Sequence, residues 1–375
     1  MRKPMKFADI TGHKSIIASL REAVDTDHIP HAFLLGGQEG IGKMRVARAF
    51  VSYLYCMDRQ GGDSCGKCPA CLQNAHHNNP DVHYVFPRIG SDKKSTDTFL
   101  PQWHEFIDRH SYMPKEEWAR TIEAGNTVPV IYRSDAAEIS RTAALSSFAY
   151  RYKTYVVWMP ETMQPQCANA LLKLLEEPFP DTIFILVSNE PDKLLPTIFS
   201  RTQRYNLKPL SEGEVAEILV GEGIPYPEAQ EVASLSEGNM IKALDMTGEG
   251  GEIKEFSSLF IQLMRLAYSR NAAALRMLSD TIAAMGREKT GRFLAYCSRM
   301  TRESFIFNLK TSGLNTMTKA ESDFNVRFSP FVNHKNVERI MAEIQRAHDD
   351  VLRNANAKLV LFDFMLKVMM QLRKQ

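Results

Sequence analysis

The chain has 375 residues, of which 44% are hydrophobic and 24% are charged, as in an ordinary globular protein of two or three domains. Its 46 basic and 44 acidic residues leave a formal net charge of +2, which argues against a nucleic-acid binder that relies on bulk positive charge. No apolar run approaches the roughly 20 residues of a membrane span, and no apolar stretch follows the basic start as in a signal peptide. We therefore expect a soluble, cytoplasmic protein without membrane contact.

Short apolar runs alternate with helical patterns over the first two hundred residues. Residues 32–35 form a strand-like run that leads into a glycine-rich turn, and helical periodicity follows over 45–55. Two further buried strands are predicted at 155–159 and 183–187, with a helix at 168–175 between them. Continuous apolar strands separated by helices predict a parallel sheet covered on both faces, so we expect an α/β fold.

Helical patterns dominate the rest of the chain. A capping box, Ser211 with Glu214, starts the first of several short helices that run to about residue 246. The glycine-rich run 247–251 is the clearest boundary, and only helical patterns follow it. These signals predict an α/β domain (1–208), a small helical domain (209–247) and an all-helical domain (252–375).

The stretch from about 88 to 130 departs from this pattern. It contains Trp103, Trp118 and a charged run at 92–94, but no clean periodicity. We interpret it as an insertion with some helix and no assigned role.

The first candidate site is a glycine-rich segment, residues 37–44 (Gly-Gln-Glu-Gly-Ile-Gly-Lys-Met), between a predicted strand and a predicted helix. In a phosphate-binding loop, glycines let successive N–H groups point into one concavity, and Lys43 would reach the terminal phosphates. The glycines concerned are Gly37, Gly40 and Gly42. The next residue normally supplies the hydroxyl that ligates Mg²⁺, but here it is Met44. We expect an inherited phosphate loop rather than a chance glycine turn, without magnesium-dependent hydrolysis; ATP binding stays an open question.

A second missing metal ligand is found at the end of the predicted strand 155–159. In phosphate-loop enzymes the corresponding strand ends in an acidic pair that holds the metal and polarises the attacking water. Here Pro160 stands where the metal-binding aspartate is expected, and only Glu161 is available. Two losses in one mechanism strengthen the prediction that the chain does not hydrolyse ATP.

Four of the six cysteines lie within sixteen residues, at Cys56, Cys65, Cys68 and Cys71. Clustered cysteines in a chain without an export signal indicate metal ligands rather than disulfides. Four thiolates suit a closed, structural zinc site. An iron–sulfur cluster is the main alternative, and a reduced, metal-free state is a weaker one. Because four cysteines suffice, we expect His76 and His77 to be surface residues.

These segments resemble the clamp-loader subunits of bacterial DNA polymerase III, which are AAA+ proteins. The resemblance rests on the helix 169–178 (Asn-Ala-Leu-Leu-Lys-Leu-Leu-Glu-Glu-Pro), the opening 7–13, the approach 29–32 and the cysteine module. It covers about residues 5–80 and 150–245. It implies an α/β AAA+ core with a parallel sheet and a phosphate loop, a small helical lid domain and a C-terminal all-helical collar domain.

The resemblance also implies residue roles. On its own, the arginine of Ser200-Arg201-Thr202 would be taken for a solvated surface residue. In the family, a Ser-Arg-Cys motif at this place supplies an arginine finger in trans to the ATP site of a neighbouring subunit, which implies that role for Arg201. ATP-hydrolysing subunits sense the γ-phosphate with an arginine near the place of Ile241. Together with Met44 and Pro160, its absence favours a non-hydrolysing subunit.

The partners implied by the resemblance are other clamp-loader subunits (gamma/tau-type motor and delta-type), the sliding clamp indirectly, and primer–template DNA within the complex. The implied function is loading of the sliding clamp onto primed DNA during replication. Two alternatives remain open: an ATP-hydrolysing motor subunit or other AAA+ ATPase, and a zinc-dependent nucleic-acid-binding module. The near-neutral charge argues against the second alternative.

Overall fold

The computed structural model describes residues 3–90, 96–125, 127–247, 252–308, 317 and 319–372. The charged run 92–94 and, apart from Thr247, the predicted boundary 247–251 lie outside the described residues. The chain divides into two compact units, Met1–Ala243 and Leu244–Gln375.

Helices and strands alternate over most of the first unit, which ends with three consecutive helices, the last of which continues to Thr247 in the second unit. In chain order they are α1 (Lys14–Asp25), β1 (Ala32–Gly36), α2 (Lys43–Tyr55), α3 (Pro69–Ala75), β2 (Val82–Val85), α4 (Leu100–Arg109), α5 (Lys115–Thr121), α6 (Arg133–Ala143), β3 (Lys153–Trp158), α7 (Pro165–Glu176), β4 (Thr182–Ser188), α8 (Pro196–Phe199), β5 (Gln203–Asn206), α9 (Glu212–Gly221), α10 (Tyr226–Ser236) and α11 (Met240–Thr247). The predicted capping box is present: Ser211 precedes α9, and its hydroxyl accepts from the Glu214 N–H.

The sheet is wholly parallel, in the order β2-β3-β4-β1-β5. Its residues alternate between two apolar layers, because successive side chains of a strand point to opposite faces. Phe33 packs in the layer that contains Phe50 of α2, whereas Leu34 packs in the layer that contains Leu171 of α7. The predicted parallel α/β sheet covered on both faces is thus confirmed.

The carboxyl ends of the strands meet at one edge of this sheet. Gly36 of β1 lies opposite Ser188 of β4, and Trp158 of β3 lies opposite the preceding residue, Val187. The loop after β1 and the residues after β3 therefore lie at the same edge of the sheet, on either side of β4, where ligand-binding loops lie in open parallel sheets.

Among the described residues of the second unit, helices are the only regular secondary structure. Its helices are α12 (Glu252–Tyr268), α13 (Ala272–Ala283), α14 (Arg287–Asn308), α15 (Lys319–Phe328), α16 (Val337–Leu352) and α17 (Ala357–Gln371). They enclose a core of their own, which includes Leu263, Leu294, Ile344 and Phe364. In the described part of the chain, no helix combines the length and apolar character that crossing a membrane requires.

Candidate functional site

The glycine-rich segment that the sequence predicts to be a phosphate loop joins β1 to α2 at the carboxyl edge of the sheet. Gly40 and Gly42 have φ angles of 81° and 88°, in the left-handed region that glycine adopts without strain. Lys43 is the first residue of α2, so its side chain leaves the helix at the turn that these glycines create. The local sequence therefore builds the strand, turn and helix that a phosphate loop requires.

Lys43 is folded back onto this loop. Its side chain is almost fully buried, and its Nζ donates to the carbonyl oxygens of Gly37, at 2.7 Å, and Gln38. Burial lowers the pKa of Lys43 to about 7, although the carboxylates of Glu161 and Glu39 oppose that shift. The ammonium group thus satisfies its hydrogen bonds within its own loop.

The two positions at which the sequence predicts Mg²⁺ ligands carry buried side chains without a ligand oxygen. Met44 is 3% exposed, and Pro160 is buried. Strand β3 ends at Trp158, so Pro160 lies two residues beyond the end of the strand. Neither a thioether nor a pyrrolidine ring supplies the oxygen ligands that Mg²⁺ requires.

Glu161, the acidic residue nearest this strand end in sequence, is engaged elsewhere. One carboxylate oxygen accepts from the Ser188 hydroxyl at 2.8 Å. The other accepts from the backbone N–H groups of Asn189, at 2.9 Å, and Glu190, at 3.2 Å. Glu161 therefore ties the residues after β3 to the loop after β4.

The insertion packs on the end of β3. Its two helices, α4 and α5, contribute Trp103 and Trp118, whose rings lie 5.3 Å and 6.4 Å from the ring of Trp158. Phe106 joins them at 5.9 Å from Trp158. The sequence analysis did not predict this aromatic cluster, because its members come from segments that share no local pattern.

The resemblance implies that a γ-phosphate-sensing arginine of ATP-hydrolysing subunits would fall near Ile241. Ile241 is half-buried in the first turn of α11. The neighbouring Lys242 is exposed, and its Nζ lies 2.9 Å from a carboxylate oxygen of Glu237. The segment therefore presents no arginine toward the loop.

Arg201 lies just beyond α8, near the end of α7. Its Nη2 lies 2.6 Å from a carboxylate oxygen of Glu176, and its Nη1 donates to the Thr197 carbonyl at 3.1 Å. Its side chain is 34% exposed. The guanidinium group is thus oriented by its own chain while one side stays open to solvent.

The four cysteine sulfurs of the module lie within 4.8 Å of one another. Cys56 follows α2, and Cys68 and Cys71 lie before and within α3. The backbone N–H of Cys65 donates to the sulfur of Cys56 at 3.2 Å. Such N–H groups stabilise thiolates, and four thiolates in one small volume form a donor set that fits a metal ion.

The surroundings of two of these thiols shift their pKa values in opposite directions. Burial acts to raise the pKa of Cys65, but the N–H groups of Lys67 and Cys68 donate to its sulfur and lower this pKa to about 7. For Cys71, burial raises the pKa far above its usual range. A buried thiol of this kind becomes a thiolate when a cation is present to balance the charge.

The expectation that both histidines near the module are surface residues is wrong for His77. His76 is exposed, but the imidazole of His77 is fully buried. Its Nε2 lies 2.7 Å from a carboxylate oxygen of Asp108, and its ring stacks on His104 at 4.9 Å. His77 is buried because the insertion, which carries Asp108 and His104, covers it.

The cysteine module also holds the N-terminal segment. The Asp63 carboxylate accepts from the backbone N–H groups of Phe7, at 3.2 Å, and Ala8, at 2.8 Å. Lys6 Nζ donates to the Cys65 carbonyl at 3.2 Å. The module therefore connects the chain start to the end of α2.

Comparison with known proteins adds a family and several relatives. The family model described as DNA polymerase III, delta subunit, matches residues 12–211. The DNA polymerase III subunit delta' of Bacillus subtilis is 26% identical over 275 residues, which cover 73% of this chain and 71% of that protein. The tau/gamma subunit of Haemophilus influenzae is 28% identical over 253 residues. These residues cover 66% of this chain but only 31% of the tau/gamma subunit.

Among solved structures, a gamma subunit-related protein from Thermotoga maritima superposes with a TM-score of 0.43 and 15% identity. That superposition covers 95% of this chain and 99% of the other.

Proposed function

This chain belongs to the delta-subunit family of the DNA polymerase III clamp loader, and we propose that it is a non-hydrolysing subunit of the delta-prime type. In this role it helps to load the sliding clamp onto primed DNA during replication. It supplies Arg201 as an arginine finger to an adjacent, ATP-hydrolysing subunit.

The observation that carries this proposal is the apolar character of the magnesium positions. Met44 and Pro160 are both buried, and Met44 belongs to the same apolar cluster as Trp158 at the end of β3. Phosphoryl transfer needs Mg²⁺ to neutralise charge on the transferred group, and an apolar cluster cannot hold that ion. The chain therefore keeps the phosphate loop as a fold element without its chemistry.

The state of Arg201 supports the second half of the proposal. An arginine that acts in the ATP site of another subunit has to be accessible to that subunit. It should also be oriented before the subunits bind, because restricting the side chain on binding costs free energy. The contacts with Glu176 and Thr197 provide that order, and the partial exposure provides access.

The assembly partners follow from the same proposal. They are gamma/tau-type and delta-type clamp-loader subunits, with the sliding clamp contacted indirectly and primer–template DNA held within the complex. The helical unit after residue 243 is the proposed collar, through which the subunits associate.

Zinc is the metal that we propose for the cysteine module. Four sulfurs about 2.3 Å from one tetrahedral ion lie about 3.8 Å apart, which small adjustments of the observed cluster can reach. An iron–sulfur cluster places its cysteines on different irons and so needs a wider arrangement. Elemental analysis of the purified protein should give one zinc per chain; iron with sulfide would overturn this assignment.

The proposed function is tested by ATP hydrolysis. The purified protein should show no DNA-stimulated hydrolysis, and Arg201→Ala should lower turnover in a reconstituted clamp loader by about a thousandfold at the site it serves. Arg201→Lys is the matched variant, since it keeps the charge but not the planar fork. Co-purification of subunits checks that assembly is intact.

Two results would contradict the proposal. Normal turnover in the assembled Arg201→Ala complex would refute the finger. Magnesium-dependent hydrolysis by the protein alone, abolished by Lys43→Ala, would instead identify an ATP-hydrolysing subunit, the class to which the tau/gamma relatives point.

A further inference from the structure

We propose that the insertion and the start of α11 form a cover that closes the phosphate loop to nucleotide in the folded protein. The cover consists of Tyr112, Lys115, Asn239 and Met240. The inference rests on the proposed function but goes further, because it concerns nucleotide binding rather than hydrolysis, and because it gives the insertion a role.

The insertion supplies one side of the cover. The backbone N–H of Lys115 donates to a carboxylate oxygen of Glu39, inside the loop, at 2.6 Å. A Cβ atom on Gly42 would lie 3.5 Å from the Tyr112 ring, so this ring is in van der Waals reach of the loop. The guanidinium of Arg45 lies 5.3 Å from the centre of the same ring and holds it by a cation–π contact.

The start of α11 supplies the other side. The backbone N–H of Met240 donates to the Gly40 carbonyl at 2.9 Å. A Cβ atom on Gly40 would lie 2.0 Å from the side-chain oxygen of Asn239, so Asn239 fills the space directly against the glycine. That oxygen is fixed, because it accepts from the N–H groups of Ile241, at 2.9 Å, and Lys242, at 3.2 Å.

The result is that the second half of the loop, residues 40–43, is withdrawn from solvent. Gly40, Ile41, Gly42 and Lys43 are all buried. A phosphate loop binds through backbone N–H groups and the lysine ammonium, all of which must be reachable. A nucleotide would have to displace the cover, break the contacts of Lys43 with the loop carbonyls and approach the Glu39 carboxylate.

The part of the cover that the insertion supplies is held in place by contacts of α4 and α5 with the core of the first unit. Tyr112 lies in the turn between α4 and α5, which are pinned by the aromatic cluster on Trp158. The indole N–H of Trp118 donates to the Pro87 carbonyl at 2.7 Å, and Arg48 of α2 donates to the Ile107 carbonyl at 3.1 Å. Lifting the cover therefore exposes part of a buried core, which makes the open state rare and the apparent affinity for nucleotide low.

The test is calorimetric titration of the purified full-length chain with ATP and with ADP, with and without Mg²⁺. The wild-type protein should show no saturable binding at millimolar nucleotide. The variant Tyr112→Ala with Lys115→Pro removes the ring and the N–H donor, and proline is tolerated at the first residue of a helix such as α5. We expect it to bind at least about tenfold more tightly, and added Lys43→Ala should abolish that gain.

The matched control is Tyr112→Phe with Lys115→Ala, which keeps both the ring and the N–H and should bind no better than wild type. Hydrogen exchange at residues 40–44 is the second measurement. It should be slow in wild type and faster in the opened variant, and fast exchange in wild type overturns the cover even if the variant fails to fold.

The outcomes separate this inference from the proposed function. Saturable ATP binding by the wild-type protein without hydrolysis overturns the cover and leaves the non-hydrolysing role intact. Hydrolysis by the wild-type protein overturns that role. A folded opened variant that gains neither binding nor faster exchange also overturns the cover.

Discussion

The phosphate loop and the Arg201 segment belong to one α/β unit but have opposite surroundings. Beside the loop, Met44 and Trp158 are buried among apolar side chains. Arg201 instead has a partly exposed guanidinium group paired with a carboxylate. The comparison teaches that a site proposed to lack hydrolytic chemistry can be filled by packed side chains, whereas a group proposed to act on a neighbour has to remain at the surface.

The largest expected effect on stability tests whether the end of β3, beside the loop, is tightly packed. Trp158→Ala should lower the free energy of unfolding of the first unit by about 3–5 kcal/mol, because it leaves a cavity under the insertion. The control is Phe148→Ala, which truncates an aromatic side chain that is 86% exposed and should cost less than about 0.5 kcal/mol. Urea unfolding measures both. Equal costs would show that the end of β3 is not a packed core.

Next in size is the effect at the cysteine module, a third region, for which we propose stabilisation by a metal ion. Removing the metal with a chelator should destabilise the first unit by about 2.7 kcal/mol if the metal is present at 100 times its Kd. The N-terminal segment should loosen as well, because Asp63 and Cys65 hold it. Thermal unfolding with and without chelator measures the effect.

A Cys65→Ser variant is the control for this experiment, and chelator should change its unfolding little. If chelator does not change the unfolding of the wild-type protein and elemental analysis finds no metal, the cysteine module is not a metal site.

The central part of the fold was predictable from sequence because its signals are local. β1, β3 and β4 are continuous apolar runs, and the structure confirms all three. β2 and β5 were not predicted. Both are four-residue edge strands, and β5 is exposed at three of its four positions, so neither shows the apolar pattern of a buried strand.

The candidate site was predictable only in part, for the same reason. Glycine spacing predicted the turn between β1 and α2, and cysteine spacing predicted the clustered sulfurs of the module, because each motif is contiguous in sequence. The contacts of Tyr112 and Asn239 with the loop join segments far apart in the chain, and no local pattern encodes them. The strand end at Trp158 likewise became clear only from the register with β4.

A smaller effect concerns Lys43 and pH. Its pKa is lowered to about 7 in the folded protein, against an ordinary value of 10.5, so the unfolded chain binds more protons between these values. The free energy of unfolding should therefore rise with pH across this window, by at most about 1.4 kcal/mol per pH unit.

Lys43→Met, which removes the titrating group, isolates this contribution. The stability of wild type relative to the variant should increase between about pH 7.5 and pH 8.5, as measured by urea unfolding at each pH. A difference that stays constant or falls with pH would show that Lys43 remains fully charged, and that the loop is more open to water than its burial indicates.

The smallest effect is expected at Arg201, for which we propose a large functional role but expect almost no contribution to the free energy of unfolding. Its pair with Glu176 is partly exposed on both sides, and pairs of this kind contribute about 0–1 kcal/mol. Arg201→Ala and Glu176→Gln should each change the free energy of unfolding by less than about 0.5 kcal/mol, and a double-mutant cycle gives their coupling. A cost above about 2 kcal/mol would mark Arg201 as a structural residue. The comparison therefore requires a large loss of stability in Trp158→Ala and a negligible one in Arg201→Ala. Trp158 would then stabilise the fold of this chain, whereas Arg201 would act on a partner subunit, as proposed.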